Sequence, residues 1–281
     1  MDLIRHILAC GGADPARGRV PFRVGAGAVG WVRADMADAL AAFPEVARDG
    51  AALVLREPDA LPAIARALSD AGWFRWRREA FDVRADPDGP ALARIDRGAI
   101  PSFGVMAQGV HVNGLVRAPD GWRLWVAKRA ADKLLDPGKL DHVVAGGVPA
   151  GLTPMETLVK EAAEEAAIPA ELAVRARHVG IVAYAMDRSE GLRRDRLHCY
   201  DLELPPDFVP RAADGEVESF ELWPLGDVLA RLRASDDFKF NVGPCLIDLF
   251  LRLGAVAGAE AAALRAALPL GAALDAQARG A

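Results

Sequence analysis

Helical spacing and alternation divide the 281-residue chain into elements before any chemistry is considered. Apolar positions recur every three or four residues in 1–10, 34–43 and 59–73, which predicts three amphipathic helices. Residues 20–24, 30–32, 52–55 and 78–84 read as short strands, the last alternating in REAFDVR. From 85 to 104, Pro87, Gly89, Pro90 and Pro101 punctuate a stretch without sustained period, so a domain boundary is expected there. Next, 109–117 and 122–129 alternate on either side of Ala118-Pro119-Asp120-Gly121, whose Pro and Asp-Gly suit a β-hairpin turn. Further strands are expected at 174–184, 196–204 and 217–223, and helices at 225–232 and 242–253. The pattern thus predicts a small α/β domain over 1–104 and a second domain over 105–253 with strands on both sides of a central helix. An alanine-rich helix or tail over 254–281 follows.

The central helix is the best-marked element. Thr153 and Glu156 have the T-x-x-E spacing of a capping box, and Pro154 suits the first helical position. Pro169 disfavours helical backbone at Ile168, so the helix should end near Ala167. Between these limits Glu161, Glu164 and Glu165 stand at i, i+3 and i+4, which puts three carboxylates on one face. Such a cluster repels itself by about 0.2–0.5 kcal/mol per solvated pair, a cost that a divalent cation would reverse. The face is either solvated, with Lys160 neutralising its neighbours, or a metal site.

Composition narrows the possibilities. With 52% hydrophobic residues the chain can build a sizeable core. A formal charge of −5 provides no basic footprint for a nucleic-acid backbone, so nucleic acid is not an expected partner. Cys10, Cys199 and Cys245 lie far apart without a C-x-x-C pair, and are expected to be buried thiols. No run of 18 apolar residues occurs, and the first apolar run is too short and too charged for a secretory signal. The expectation is a cytoplasmic protein without membrane association.

A glycine loop, Gly146, Gly147, Pro149 and Gly151, leads into the acidic helix, where Lys160, Glu161, Glu164, Glu165 and Ile168 follow. This arrangement resembles the signature of the Nudix hydrolases, G-x5-E-x7-R-E-U-x-E-E-x-G-U with U aliphatic. Three positions depart from it: Leu152 stands where the first Glu belongs, Lys160 replaces Arg, and Ala167 replaces the second Gly. Glu156 could partly substitute for the missing carboxylate, and Ala should cost a helix end little. A narrower resemblance, to the branch related to fusion partners of thiamine pyrophosphokinase, covers most of residues 20–253. It is carried by G-G-x-P-x-G and K-E-x-x-E-E-A, and by dispersed segments around His111, Asn113, Lys139, Asp141, Glu216, Lys239 and Asn241.

The resemblance implies an α/β/α sandwich with a mixed sheet, preceded by the small α/β domain. It also implies a hydrolase that needs Mg²⁺ (or Mn²⁺) and cleaves an organic diphosphate. A thiamine-diphosphate-like substrate, or an oxidised form taken to the monophosphate, is implied by the narrower branch. Glu161, Glu164 and Glu165 would be the catalytic and metal-holding carboxylates, with the carbonyl of Gly146 or Gly147 as a further ligand. Glu216 or Glu218 could add a ligand or base. Arg129, Lys133 and Lys139 flank the loop as candidate phosphate contacts.

Trp122 and Trp125 are three apart on a strand and should face opposite sides, so only one should reach a core and the other, Trp125, could stack on substrate. His111 and His142 are more readily structural than catalytic. Trp31, Trp73 and Trp76 are expected in the first domain's core, with that domain contributing to recognition of the organic group. The protein is expected as a monomer or homodimer. Leu152 also leaves open a non-catalytic binding module with the same fold.

Overall fold

The computed structural model describes residues 2–132, 135–213 and 215–268. Helix α1 (Ile4–Cys10) precedes a four-stranded sheet built from β1 (Val20–Val24), β2 (Gly27–Val32), β3 (Val46–Asp49) and β4 (Ala52–Leu55), in the order β2-β1-β4-β3. Helices α2 (Ala34–Leu40) and α3 (Leu61–Asp70) cover this sheet through Met36, Leu40, Leu61, Ile64 and Leu68, all buried. A hairpin, β5 (Ala80–Val83) with β6 (Ala93–Asp96), and the short helix α4 (Ile100–Phe103) complete the first core. The stretch 85–104 is therefore not a plain linker: Ile95, Ile100 and Phe103 are buried in that core.

The second sheet runs β11 (Arg177–Arg188), β12 (Gly191–Glu203), β7 (Met106–Ala118), β8 (Gly121–Arg129), β13 (Val217–Pro224). Short strand β9 (Leu140–Asp141) pairs with β8, and β10 (Val144–Gly147) with β7. Among the described strands of this sheet β7 and β12 pair in parallel and the other pairs are antiparallel, which makes it mixed. One face packs on α5 (Pro154–Ala166) and the short α6 (Ala170–Ala173). The other packs on α7 (Leu225–Ala234) and α8 (Val242–Arg252), with α9 (Gly258–Ala267) outside them. The expected α/β/α sandwich is present.

Burial of the sheet on both faces explains the tryptophans. Trp122 packs with the α7–α8 core and Trp125 with the α5 core, so both meet apolar layers although they face opposite ways. The reading of Trp125 as a substrate platform fails for this reason: it is a core residue, 7% exposed. Residues 1–10 also leave the domain to which the sequence assigned them. Leu3 and Ile7 of α1 are buried with Leu246 and Phe250 of α8, and Arg5 donates to the carbonyls of Leu232 and Ser235 at 2.9 Å each. The three cysteines are free and buried. No helix among the described residues is long and apolar enough to cross a membrane.

Candidate active site

The site forms where α5 lies across β10. Thr153 caps the helix as expected, its Oγ1 accepting from Glu156 N at 3.2 Å while Glu156 Oε2 accepts from Thr153 N at 2.8 Å. Glu156 is thus committed to the cap and does not substitute for the missing signature glutamate. Leu158, Ala162 and Ala166 bury the apolar stripe of α5 against Val110, Val112 and Val144. That docking turns Glu161 and Glu165 toward β10.

Glu165 is buried and accepts a hydrogen bond from Ala145 N at 2.9 Å. Burial pushes its carboxyl well above the ordinary value; the Ala145 amide opposes this, and the charges of Glu161, Asp141 and Glu216 add to the rise. Glu161 is also raised by burial, against the pull of Lys160. A Cβ built on Gly146 would lie 2.7 Å from Glu161 Cγ and Cδ, so only glycine lets that side chain lie along the strand. Glu164 sits outermost, its side chain 51% exposed, with Lys160 Nζ 2.6 Å from one carboxylate oxygen and 3.1 Å from Glu161. The three carboxylates share a face but differ in depth.

Strand geometry corrects the expected carbonyl ligand. The Ala145 amide points away from β7 to Glu165, whereas Val148 N points back to Gln108 O at 2.9 Å. Alternation along an antiparallel ladder then turns the Gly146 carbonyl toward β7, and the carbonyls of Ala145 and Gly147 outward. Of the two expected carbonyl ligands, then, Gly147 is turned outward with Ala145 and Gly146 is not. A buried and a half-buried carboxyl, both raised by desolvation, and outward carbonyls make a hard-oxygen donor set of the kind Mg²⁺ or Mn²⁺ takes.

The remaining candidates separate. Glu216 lies close enough for its charge to raise Glu165, and its carbonyl accepts from Ala130 N. Glu218 instead pairs with Lys128 at 2.8 Å. Arg129 is not available for phosphate: its guanidinium donates to Asp141 Oδ2 at 3.0 Å and to the carbonyls of Leu135 and Asp136. Lys139 donates to the Asp236 carbonyl at 2.5 Å. Lys133 lies outside the described residues.

Beneath β10 the dispersed segments converge on a buried polar layer. His111, opposite Ala145 in the ladder, meets His142 Nδ1 to Nδ1 at 2.8 Å, so one ring donates and the other accepts. Desolvation holds His142 down at about 4 and His111 well below its ordinary value, so both are neutral near pH 7. Burial alone would raise the Asp141 carboxyl, but Lys239 Nζ at 3.2 Å and Arg129 help to pull it down to about 2. His111, Asp141 and His142 are close enough together to suggest a cation site. The layer does not fit one: two cations already balance a single carboxylate, and the two Nδ1 atoms are spent on each other. It braces β10 from below.

A cleft of about 250 Å³ opens beside the glycine loop, between the two cores. Phe81 and Asp82 of β5 line one side, and Gln108, Leu152, Arg194 and His198 the other. Gln108 Nε2 donates to the Pro87 carbonyl at 2.8 Å, which turns its Oε1 to His198 Nε2 at 2.9 Å. His198, lowered to about 4 by burial and Arg196, is therefore neutral with its proton on Nε2. Trp31, Trp73 and Trp76 do not line this cleft, and its aromatic wall is Phe81. Trp31 lies under the Arg194 guanidinium at 4.6 Å, while Trp73 and Trp76 pack on the first core. The first domain's share of the site was legible only as an alternating strand at 78–84, with nothing local to say what it touched.

Residues 3–107 match a domain of unknown function (DUF4743), and residues 107–241 match the NUDIX domain. The chain is 41% identical over 207 residues to Nudix hydrolase 20, chloroplastic, of Arabidopsis thaliana, covering 72% of this chain and 55% of that protein. It is 44% identical over 180 residues to Nudix hydrolase 24, chloroplastic, of the same plant, covering 64% and 49%. An uncharacterized protein of Saccharomyces cerevisiae is 30% identical over 195 residues. The chain spans about half the length of these curated relatives.

Proposed function

We propose that this chain, which carries a Nudix domain over residues 107–241, hydrolyses a diphosphate joined to an organic group, with the help of a divalent cation. The observation that carries this reading is a pair of raised carboxyls on one helix face, the buried Glu165 bonded to the Ala145 amide and the half-buried Glu161 lying against Gly146. Two desolvated acids held within electrostatic reach of each other are costly, and a divalent cation would offset that cost. When bound, the cation supplies positive charge to the phosphoanhydride oxygens and acidifies a water.

The chain's own residues do the rest. Glu165 and Ala145 define the inner wall of the cation site, and Glu164 with Lys160 forms its solvent rim. Glu161, raised by burial, is suited to take the proton of the attacking water. Glu216 adds a carboxylate within electrostatic reach. Lys160 offsets part of the accumulated negative charge before substrate arrives. The organic half of the substrate enters the cleft between the domains, with Phe81 and Leu152 as its apolar contacts. A thiamine-diphosphate-like compound is the finer substrate reading, resting on the dispersed segments.

The test is incubation of the full chain with Mg²⁺ or Mn²⁺ and a panel of organic diphosphates, with and without chelator. Release of phosphate or a monophosphate is expected only with metal. Metal binding without turnover of any member would support the non-catalytic module instead, a reading favoured by Leu152 at the signature's first glutamate.

A further inference from the structure

The loop 148–152 joins the outward carbonyl of Ala145 to the helix that bears the carboxylates, so its shape sets their spacing. Four of its residues have an amide hydrogen. Val148 N bonds β7 and Leu152 N closes a turn onto Pro149 O at 3.2 Å. The other two are held by the first domain: Ala150 N donates to Ala80 O at 2.8 Å, and Gly151 N to Asp82 Oδ2 at 3.3 Å. The Phe81 ring completes the clamp, since a Cβ on Gly147 would come within 2.6 Å of its Cζ.

Asp82 is the unusual member. Its side chain is 11% exposed, and Oδ2 lies 2.7 Å from Arg84 Nη2. Its Oδ1 is buried and accepts no hydrogen bond among the described residues, with Arg94 Nε 3.7 Å away. A nearly buried carboxylate with one oxygen unsatisfied is costly in a place where Asn or Ser could make the Gly151 bond. It lines the same cleft as Leu152, the residue at which a carboxylate would stand if it came from the loop itself.

We propose that Asp82 is a positioning residue of the active site, a carboxylate lent by the first domain to hold the glycine loop in the place left by Leu152. The inference rests on the metal-site reading above. It makes the first domain part of the site's construction rather than only an accessory to substrate choice. Two carboxylates at positions 82 and 152 would compete for the same cations, Arg84 and Arg94, whereas either one alone would satisfy them.

The experiment is a double-mutant cycle in the full chain with Asp82→Ala and Leu152→Glu, read by Mn²⁺ titration without substrate and by melting of metal-free protein. Asp82→Ala is expected to weaken Mn²⁺ binding about tenfold, and Leu152→Glu to weaken it about threefold and lower the melting temperature. The double variant is expected to bind within about threefold of the wild type, so that the same Leu152→Glu change harms one background and repairs the other. Additive losses, or an Asp82→Ala protein that binds like the wild type, would overturn the proposal. Should Asp82→Ala not fold, Asp82→Asn tests the carboxylate alone, since it keeps the Gly151 bond but loses the pairing with Arg84 and Arg94: weaker Mn²⁺ binding repaired by Leu152→Glu is expected, and binding like the wild type would overturn the proposal. Wild-type protein that turns over no diphosphate would count against the hydrolase reading alone, because the sign reversal is read without turnover.

Discussion

Glu165 concentrates the chemistry of the site in one side chain, and its environment makes two outcomes measurable. Its carboxyl is raised by burial, so folding favours its protonated form. Below the ordinary carboxyl range, folded and unfolded chains both keep the proton and the group costs nothing. As pH rises past about 4.5 the unfolded chain ionises first, so metal-free stability falls until the raised folded value is passed. Glu165→Gln keeps the size and the Ala145 bond but never ionises. Melting curves without metal should therefore show the variant more stable than wild type at pH 7, with the gap closing toward pH 4. Its kcat/KM should drop at least a hundredfold, about 2.7 kcal/mol of barrier. A metal-free variant less stable than wild type at neutral pH would show that the charge is structurally paired. At Gly146, an added Cβ meets Glu161 rather than backbone, so Gly146→Ala should cost a few degrees of melting temperature and roughly a hundredfold in turnover. Equal activity would remove Glu161 from the site.

Helix α5 shows what short-range rules determine and where they stop. Its N-terminus is specified within four residues by Thr153, Pro154 and Glu156. Its C-terminus differs from the sequence reading in one respect. Ala167 adopts left-handed backbone, φ 52° and ψ 34°, with its amide bonded to Ala162 O. A side chain there is strained where glycine is not. Ala167→Gly should stabilise the chain by about 0.5–1 kcal/mol, a rise of roughly 2 °C by calorimetry, without altering kcat. An unchanged or lower melting point would mean that the helix end relaxes at no cost.

At the scale of the whole molecule, the two cores meet along the glycine loop, and α1 crosses to the far helices. The full chain is accordingly the unit to test. Gln108 bridges Pro87 of one side and His198 of the other across the cleft. Gln108→Ala should raise KM several-fold and change the ratio of kcat/KM between two organic diphosphates, with kcat nearly intact, as steady-state kinetics would show. An equal effect on every substrate would place the organic group outside the cleft. The sequence by itself determined the longer strands, the capped acidic helix, the glycine loop and the three carboxylates on one face, but not the short strands β3, β6, β9 and β10. Those features depend on periods of two or 3.6 residues and on contacts a few residues apart. Tertiary structure alone decided that Glu165 is buried while Glu164 is not, that Trp125 belongs to the interior, and that the Arg129 guanidinium is taken up by Asp141 and two carbonyls. It also decided that the Gly146 carbonyl turns toward β7 and that Asp82 reaches the loop from 69 residues away. Each of these depends on which surfaces pack together and which charges lose water when they do, and that is a property of contacts between distant segments.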